Sequence, residues 1–472
     1  MTQSFQMSID GALALSKQQI TVINPATLES IALAPDCTDE QLDFAVAAAN
    51  RAFSSWKNTS IDERKAMLNN AAEIILEHSK ELIALLTLEQ GKPLSAAEFD
   101  VTGGASWLSG ITEIEIPEHI IQDDDDQLIK VHYEPVGVVA AIVPWNFPII
   151  LAMFKLAPAL LAGNTVVLKP SPTTPLTTLK IGELIQSAFP PGVVNVISGG
   201  DQLGPLLTSH PGIAKISFTG STATGKKVME SASNGLKKLT LELGGNDAAI
   251  VLPSVDIDKA AEDVLWAAIH NSGQLCVAAK RIYVHKAIYD RFKNAMVEKA
   301  KNISMGNGMD TDILLGPIQN KVQYNRLQSL LDESEANGHT IAFKGEGYPK
   351  TGYFIPLTII DNPPANSRIV NEEQFGPIVP LQSYDRLEDV IATANASDFG
   401  LGATVWGSDV EEIQYAIDNL EVGTVWVNQS MVFTPHSAFG GRKQSGLGVE
   451  NGVEGVLEFC VSKTTYINKQ AL

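Results

Sequence analysis

Cysteine is scarce in this sequence: there are three in 472 residues, at Cys37, Cys276 and Cys460. Thiols so few and so far apart supply neither a disulfide framework nor a zinc site of the CxxC kind, and they fit a reducing compartment. Positive charge is also short, with 34 Lys and Arg against 54 Asp and Glu and a formal charge of −20. Such a surface repels phosphate backbones and anionic headgroups, so neither nucleic acid nor membrane is expected as a partner. Long apolar runs are missing as well. The stretch from Val136 to Ala162 is interrupted by Pro144, Asn146, Pro148, Lys155 and Pro158, which argues against a bilayer span. From Met1 to Ile20 no basic segment precedes a sustained apolar one. No export signal is expected, and the chain is assigned to the cytoplasm.

The 44% hydrophobic and 19% charged residues describe a folded protein. Its length exceeds the roughly 250 to 300 residues at which a single core stops growing, so at least two domains are expected. Between Leu42 and Leu88 apolar residues recur at spacings of three and four, which predicts amphipathic helices. Ser60 and Glu63 have the spacing of a capping box, and Gly91-Lys92-Pro93 should end the series. Short β-branched runs alternating with helical segments follow: Val138 to Val143, Thr165 to Leu168, Val193 to Ile197, Ile216 to Phe218 and Leu239 to Leu243. This is the pattern of βαβ units on a parallel sheet. A second series, with Ala248 to Leu252, Arg281 to His285, Thr404 to Trp406 and Thr424 to Asn428, predicts another α/β domain from near Gly244. The run Asp123 to Asp126 reads as a solvated turn.

Three segments carry candidate chemistry. Asn271-Ser272-Gly273-Gln274-Leu275-Cys276 follows a helical segment and precedes Val277-Ala278-Ala279, so Cys276 sits where an element ends, either as a small buried hydrophobe or as a nucleophile. In Leu241-Glu242-Leu243-Gly244-Gly245-Asn246 an acid ends an apolar strand just before two glycines, which suits a site acid or an edge carboxylate before a turn. In Val143-Pro144-Trp145-Asn146-Phe147-Pro148 an uncharged amide is held between two prolines. It reads as a donor for a developing oxyanion or as a polar turn.

Taken together, these segments resemble the aldehyde dehydrogenase superfamily, whose PWNFP, LELGG and GQxC patterns occur here in the family's order. Glu372-Glu373-Gln374-Phe375-Gly376-Pro377 and Phe439-Gly440-Gly441-Arg442-Lys443-Gln444-Ser445-Gly446 extend the likeness, which runs from about Asn24-Pro25 to the last residues. The resemblance implies an α/β fold of two Rossmann-like parallel-sheet domains plus a small β oligomerisation element. Residues 1–114 and 136–243 would bind a dinucleotide, 244–428 would be catalytic, and 115–135 with 429–472 would bridge subunits of a homodimer or homotetramer. It further implies Cys276 as nucleophile, Glu242 as general base, and Asn146 with the Cys276 backbone N–H as oxyanion hole.

For the coenzyme, NAD or NADP, the same resemblance points to Ile142, Pro144, Trp145, Ser171 and Leu243 among its contacts, and to Lys169 at the adenosine ribose. Gly220 and Ser221 would lie at the pyrophosphate, Glu373 on the nicotinamide ribose and Phe375 beside the nicotinamide. Many NAD-preferring relatives carry a glutamate three residues after the lysine; Pro172 stands there, which suggests that NADP is tolerated or preferred. Relatives acting on succinate semialdehyde hold its carboxylate with arginines at the places of Phe154 and His270. Phe147, Leu151, Phe154 and Phe433 instead suggest an apolar or aromatic pocket for an uncharged apolar or aromatic aldehyde, or ordinary core packing. The role of His270 stays open.

Three rivals remain. Gly220 to Lys226 fits the P-loop spacing, but Lys227 replaces the magnesium-binding Ser or Thr. A CoA-acylating relative would typically lack Glu242. A binding or structural protein on the same scaffold would be expected to have lost the thiol or the acid.

Overall fold

A computed structural model describes residues 4–471. The predicted helices near the amino terminus are Asp39–Trp56, Ile61–Glu77 and Ser79–Gln90. Ser60 accepts the Glu63 N–H while the Glu63 carboxylate accepts the Ser60 N–H, completing the capping box read from the sequence. Each such cap is worth about 1 kcal/mol.

Two large sheets organise the rest. The first has eight strands in the order Ala12–Ala14, Met7–Ile9, Val194–Val196, Thr165–Lys169, Val138–Ile142, Lys215–Thr219, Lys238–Glu242 and Gly446–Leu447. The five from Val194–Val196 to Lys238–Glu242 run parallel, with antiparallel strands closing both edges. Val138–Ile142 and Thr165–Lys169 are buried at every position, as expected for β-branched strands covered on both faces by helices. From Val138–Ile142 the chain winds outward to Thr165–Lys169 and Val194–Val196, then returns to place Lys215–Thr219 on the opposite side. This reversal opens a crevice at the carboxyl ends of the two central strands, where open α/β sheets bind ligands.

Leu243 to Asn246 carry the chain directly into the second sheet. Its seven strands lie in the order Thr340–Lys344, Thr358–Asp361, Ile378–Tyr384, Ala279–His285, Asp247–Val251, Gly402–Trp406 and Thr424–Val427, antiparallel only at the Thr340–Lys344 edge. The first three escape the strand pattern in the sequence. Ile378–Tyr384 contains Pro380, normally a sign of an edge or a non-strand, yet pairs on both sides.

A third sheet joins His119–Asp123, Gln127–Pro135 and Cys460–Asn468, all antiparallel. Asp124 accepts the N–H groups of Asp126 and Gln127, so the acidic run is an exposed turn. Part of 429–472 packs on the first sheet: Gly446 pairs with Glu242, and Val456 and Phe459 join its core. Among the described residues no helix is long and apolar enough to cross a membrane, and no group of three or more His, Cys, Asp or Glu could hold a metal ion.

Candidate active site

The junction between the two sheets gathers the chemically suggestive residues. Glu242 is the last residue of Lys238–Glu242, and only 4% of its surface is exposed. Neither of its carboxylate oxygens has a hydrogen-bond partner. Burial, with the nearby Glu450 carboxylate, holds its carboxyl well above the usual range, while Lys155 opposes the rise. Lys155 is itself fully buried in an ion pair with Glu450, and it donates to Thr219 Oγ1 at 2.7 Å.

Cys276 lies in a turn between the helix Ile257–Ile269 and the strand Ala279–His285. That turn is shaped by three successive left-handed residues, Asn271 (φ 51°), Ser272 (φ 57°) and Gly273 (φ 72°). Each non-glycine residue held there costs about 1 to 2 kcal/mol, so other contacts must impose the shape. Asn271 Nδ2 donates to the Asn146 carbonyl at 3.1 Å, Ser272 Oγ to the Gly316 carbonyl at 2.8 Å, and Gln274 Nε2 to the Asn271 carbonyl at 3.0 Å. At position 273 a Cβ would meet the Gly376 oxygen at 2.3 Å, which leaves room only for glycine. Burial pushes the Cys276 thiol up to about 12, opposed by Lys280 and reinforced by Asp247, Glu373 and Glu242.

Asn146 is tied from both ends. Its carbonyl also accepts Lys92 Nζ at 2.8 Å, and its Nδ2 donates to the Gln274 carbonyl at 2.9 Å. An amide nitrogen carries two protons, so one remains for a ligand oxygen.

Asn146 and Cys276 open on one cavity of about 540 Å3. Phe147, Leu151, Phe154 and Phe433 line it, which brings together the four pocket residues suggested by the sequence. The sequence reading missed Phe99 and Trp107 on the helix Leu94–Gly110, together with Met431 and Phe439. Trp107 stacks on Phe154 with ring centroids 4.3 Å apart, and Phe433 meets Phe439 edge-on at 5.1 Å. The only signal for that helix was its run of small residues, Gly103-Gly104-Ala105, which lets it lie close to Ile149 and Ile150. His270 also lines the cavity, stacked on Phe147 at 6.4 Å. Burial and the nearby Lys92 ammonium push its imidazole down to about 4, so it is neutral near pH 7.

None of the residues expected at the coenzyme lines this cavity, and neither does Glu242. Those from Ile142 to Leu243 sit around the carboxyl ends of the first sheet's strands, while Glu373 and Phe375 come from the loop before Ile378–Tyr384. Ile142 ends its strand; Pro144 and Trp145 follow, and the Trp145 ring meets Phe375 edge-on at 5.3 Å. Lys169 ends Thr165–Lys169, where burial pushes its ammonium down to about 8 against the pull of Asp201 and Asp36. Ser171 Oγ pairs with Thr173 Oγ1 at 3.1 Å. Gly220 leads into Ser221, the N-cap of the helix Thr222–Ser233, whose first-turn N–H groups are oriented for an anion. Gly225 lets this helix close on the strand end, since a Cβ there would lie 2.5 Å from Leu243 Cδ2. The donor set and this close approach of backbone fit a dinucleotide. Glu373, however, is turned inward, accepting the Gly245 N–H at 3.1 Å and pairing with Lys280 at 3.2 Å.

The family model described as "Aldehyde dehydrogenase family" matches residues 13–465. A protein named aldehyde dehydrogenase LUC3 from a Fusarium species is 39% identical over 468 residues, 99% of this chain and 99% of its own length. The succinate-semialdehyde dehydrogenase [NADP(+)] GabD of Escherichia coli is 36% identical over 451 residues, covering 94% of this chain and 93% of its own. Among solved structures, betaine aldehyde dehydrogenase from Staphylococcus aureus in complex with NAD+ superposes with a TM-score of 0.94 at 35% identity, over 99% of this chain and 95% of the other.

Proposed function

Because the chain belongs to the aldehyde dehydrogenase family and is an NAD(P)-dependent enzyme of that kind, we propose that it oxidises an uncharged apolar or aromatic aldehyde to the carboxylate through a thioester on Cys276. The observation that carries this reading is the single apolar cavity on which Cys276 and Asn146 open together.

The thiol must first lose its proton to a water of the active site. A carboxyl held above its ordinary range is a stronger base, which suits Glu242 to activate the water of the later hydrolysis. The sulfur then adds to the aldehyde carbon, and the resulting oxyanion takes hydrogen bonds from Asn146 Nδ2 and the Cys276 N–H. Bound in the crevice of the first sheet, the nicotinamide supplies the hydride acceptor. Ser221 with its helix N-terminus and Lys169 would hold the coenzyme, and Trp145, Leu243 and Phe375 would flank it. Glu373 would reach the ribose after turning from Lys280. What remains on sulfur is a thioester whose oxygen keeps the same two donors. Glu242 deprotonates a water, hydroxide adds to the acyl carbon, and the carbon–sulfur bond breaks to release carboxylate and restore the thiol.

The pocket favours uncharged substrates on electrostatic grounds. Among the described residues no Lys, Arg, Asp or Glu lines the cavity, and His270 is neutral there. A distal carboxylate would enter unpaired, at a cost of several kcal/mol. Oligomerisation through Gln127–Pro135 and Cys460–Asn468 belongs to the same reading. It draws support from the exposure of Ile120, Ile121, Val461 and Tyr466 on that sheet. The test is a panel of aliphatic, aromatic and carboxylated aldehydes, followed by reduced-nicotinamide absorbance. Aromatic or aliphatic aldehydes should be favoured by tenfold or more, on the order of 1.4 kcal/mol. Preference for a carboxylated semialdehyde would end the substrate assignment.

A further inference from the structure

Lys280 lies off the apolar cavity, yet its ammonium touches the backbone of the proposed nucleophile. Its Nζ donates to the Cys276 carbonyl at 2.5 Å and pairs with Glu373 Oε1 at 3.2 Å, with only 3% of the side chain exposed. Glu373 Oε1 also accepts the Gly245 N–H. The same glycine marks where Asp247 comes near: a Cβ at 245 would lie 2.6 Å from Asp247 Oδ1 and 2.7 Å from the Cys276 oxygen. Neither Asp247 carboxylate oxygen has a hydrogen-bond partner. Three carboxyl groups lie near enough to push the Cys276 thiol upward: Glu242 from the last parallel strand of the first sheet, Asp247 from the first strand of the second, and Glu373 from the loop before Ile378–Tyr384. Lys280, on Ala279–His285, is the cation whose charge opposes them, and its ammonium sits on the Cys276 carbonyl.

Burying an ammonium costs several kcal/mol unless its partners compensate, and an apolar side chain at this strand start would avoid that cost. We infer that Lys280 is a positioning residue for the nucleophile: it fixes the Cys276 carbonyl against Glu373, and its charge offsets the carboxyl groups that would otherwise suppress the thiolate. This rests on the reading of Cys276 as the nucleophile. Glu373 is the counterweight, since its negative charge cancels part of the Lys280 field.

The test is the rate of Cys276 alkylation by iodoacetamide in the full-length, coenzyme-free protein between pH 7 and 9, with the labelled peptide identified by mass spectrometry. An opposite charge within about 4 to 6 Å moves a pKa by about one unit or more, and the compensating change in sulfur nucleophilicity leaves a net rate effect of roughly three- to tenfold. Lys280→Met should slow labelling by that factor at every pH, Glu373→Gln should speed it, and Lys280→Arg should restore the wild-type rate. Melting curves show whether each variant is folded. Rates in folded Lys280→Met that superimpose on wild type overturn the inference. If Lys280→Met does not fold, an unchanged or slower rate in Glu373→Gln overturns it equally. Failure of Cys276 to label even in wild type removes the nucleophile reading itself, and this inference with it.

Discussion

Lys92 Nζ lies 2.8 Å from the backbone oxygen of Asn146 and 2.9 Å from Asp100 Oδ2, wholly shielded from solvent and 3.7 Å from the centroid of the Phe147 ring. A buried ion pair thus grips the peptide that carries the proposed oxyanion donor. Asp100 completes the link by accepting the Ile150 N–H at the start of the helix beneath the cavity.

Removing one partner of such a pair leaves an uncompensated buried charge. Lys92→Met should lose about 3 to 5 kcal/mol in denaturant unfolding. In protein that remains folded, kcat should fall by about tenfold or more with a smaller change in KM, because Asn146 acts mainly on the oxyanion. A variant with wild-type stability and kcat would show that the pair is incidental.

Glu89 gives a stability prediction with a definite sign. It is fully buried, accepts the N–H groups of Leu176 and Thr177, and its carboxyl is raised by burial to about 7 from 4.5. For an acid whose folded pKa is raised, the stability contribution is complete below the unfolded pKa and is lost as pH climbs through the folded one. Stability should therefore decline between pH 4.5 and about 7, by on the order of 3 kcal/mol from this group. Glu89→Gln should flatten that slope in urea titrations. Equal slopes in variant and wild type would place the proton elsewhere.

Substrate charge should be adjustable at one position. His270→Arg would add a cation to the cavity and should shift the kcat/KM ratio of carboxylated to uncharged aldehydes upward by about tenfold, or roughly 1.4 kcal/mol. An unchanged ratio would mean that the distal end of the substrate does not reach position 270.

Coenzyme choice turns on the residues around Lys169. Pro172 offers no carboxylate to the adenosine ribose, whereas Asp36 and Asp201 lie close enough to draw the Lys169 ammonium upward. Both coenzymes should therefore be used, with kcat/KM values within about a hundredfold. NADP turnover poorer by about a thousandfold, or roughly 4 kcal/mol, would contradict this.

Much of the architecture was legible because parallel strands buried on both faces leave short, largely apolar runs. Thr165–Lys169 and Asp247–Val251 are of this kind, and the sequence boundaries fall within one residue of them. Ile378–Tyr384 was not legible, since Pro380 lacks the N–H that a paired strand normally uses and tertiary pairing overrides the local preference. Around the site, Cys276, Glu242 and Asn146 stood out through their glycine and proline neighbours. Lys92, between Gly91 and Pro93, reads only as part of a helix stop, and Asp100 and Lys280 give no signal. A lone charged residue in a sequence reads as surface, and only the fold shows that Lys92 and Lys280 are buried against the backbone of a proposed catalytic residue, with Asp100 buried against Lys92.

The covalent intermediate on Cys276 is the central claim, and the Glu242→Gln variant tests it most directly. Mixed with benzaldehyde and coenzyme and quenched in acid, it should give a burst of reduced coenzyme and an acyl mass on the peptide containing Cys276, because addition and hydride loss proceed while hydrolysis stalls. A burst of reduced coenzyme with Cys276 unmodified would contradict the account.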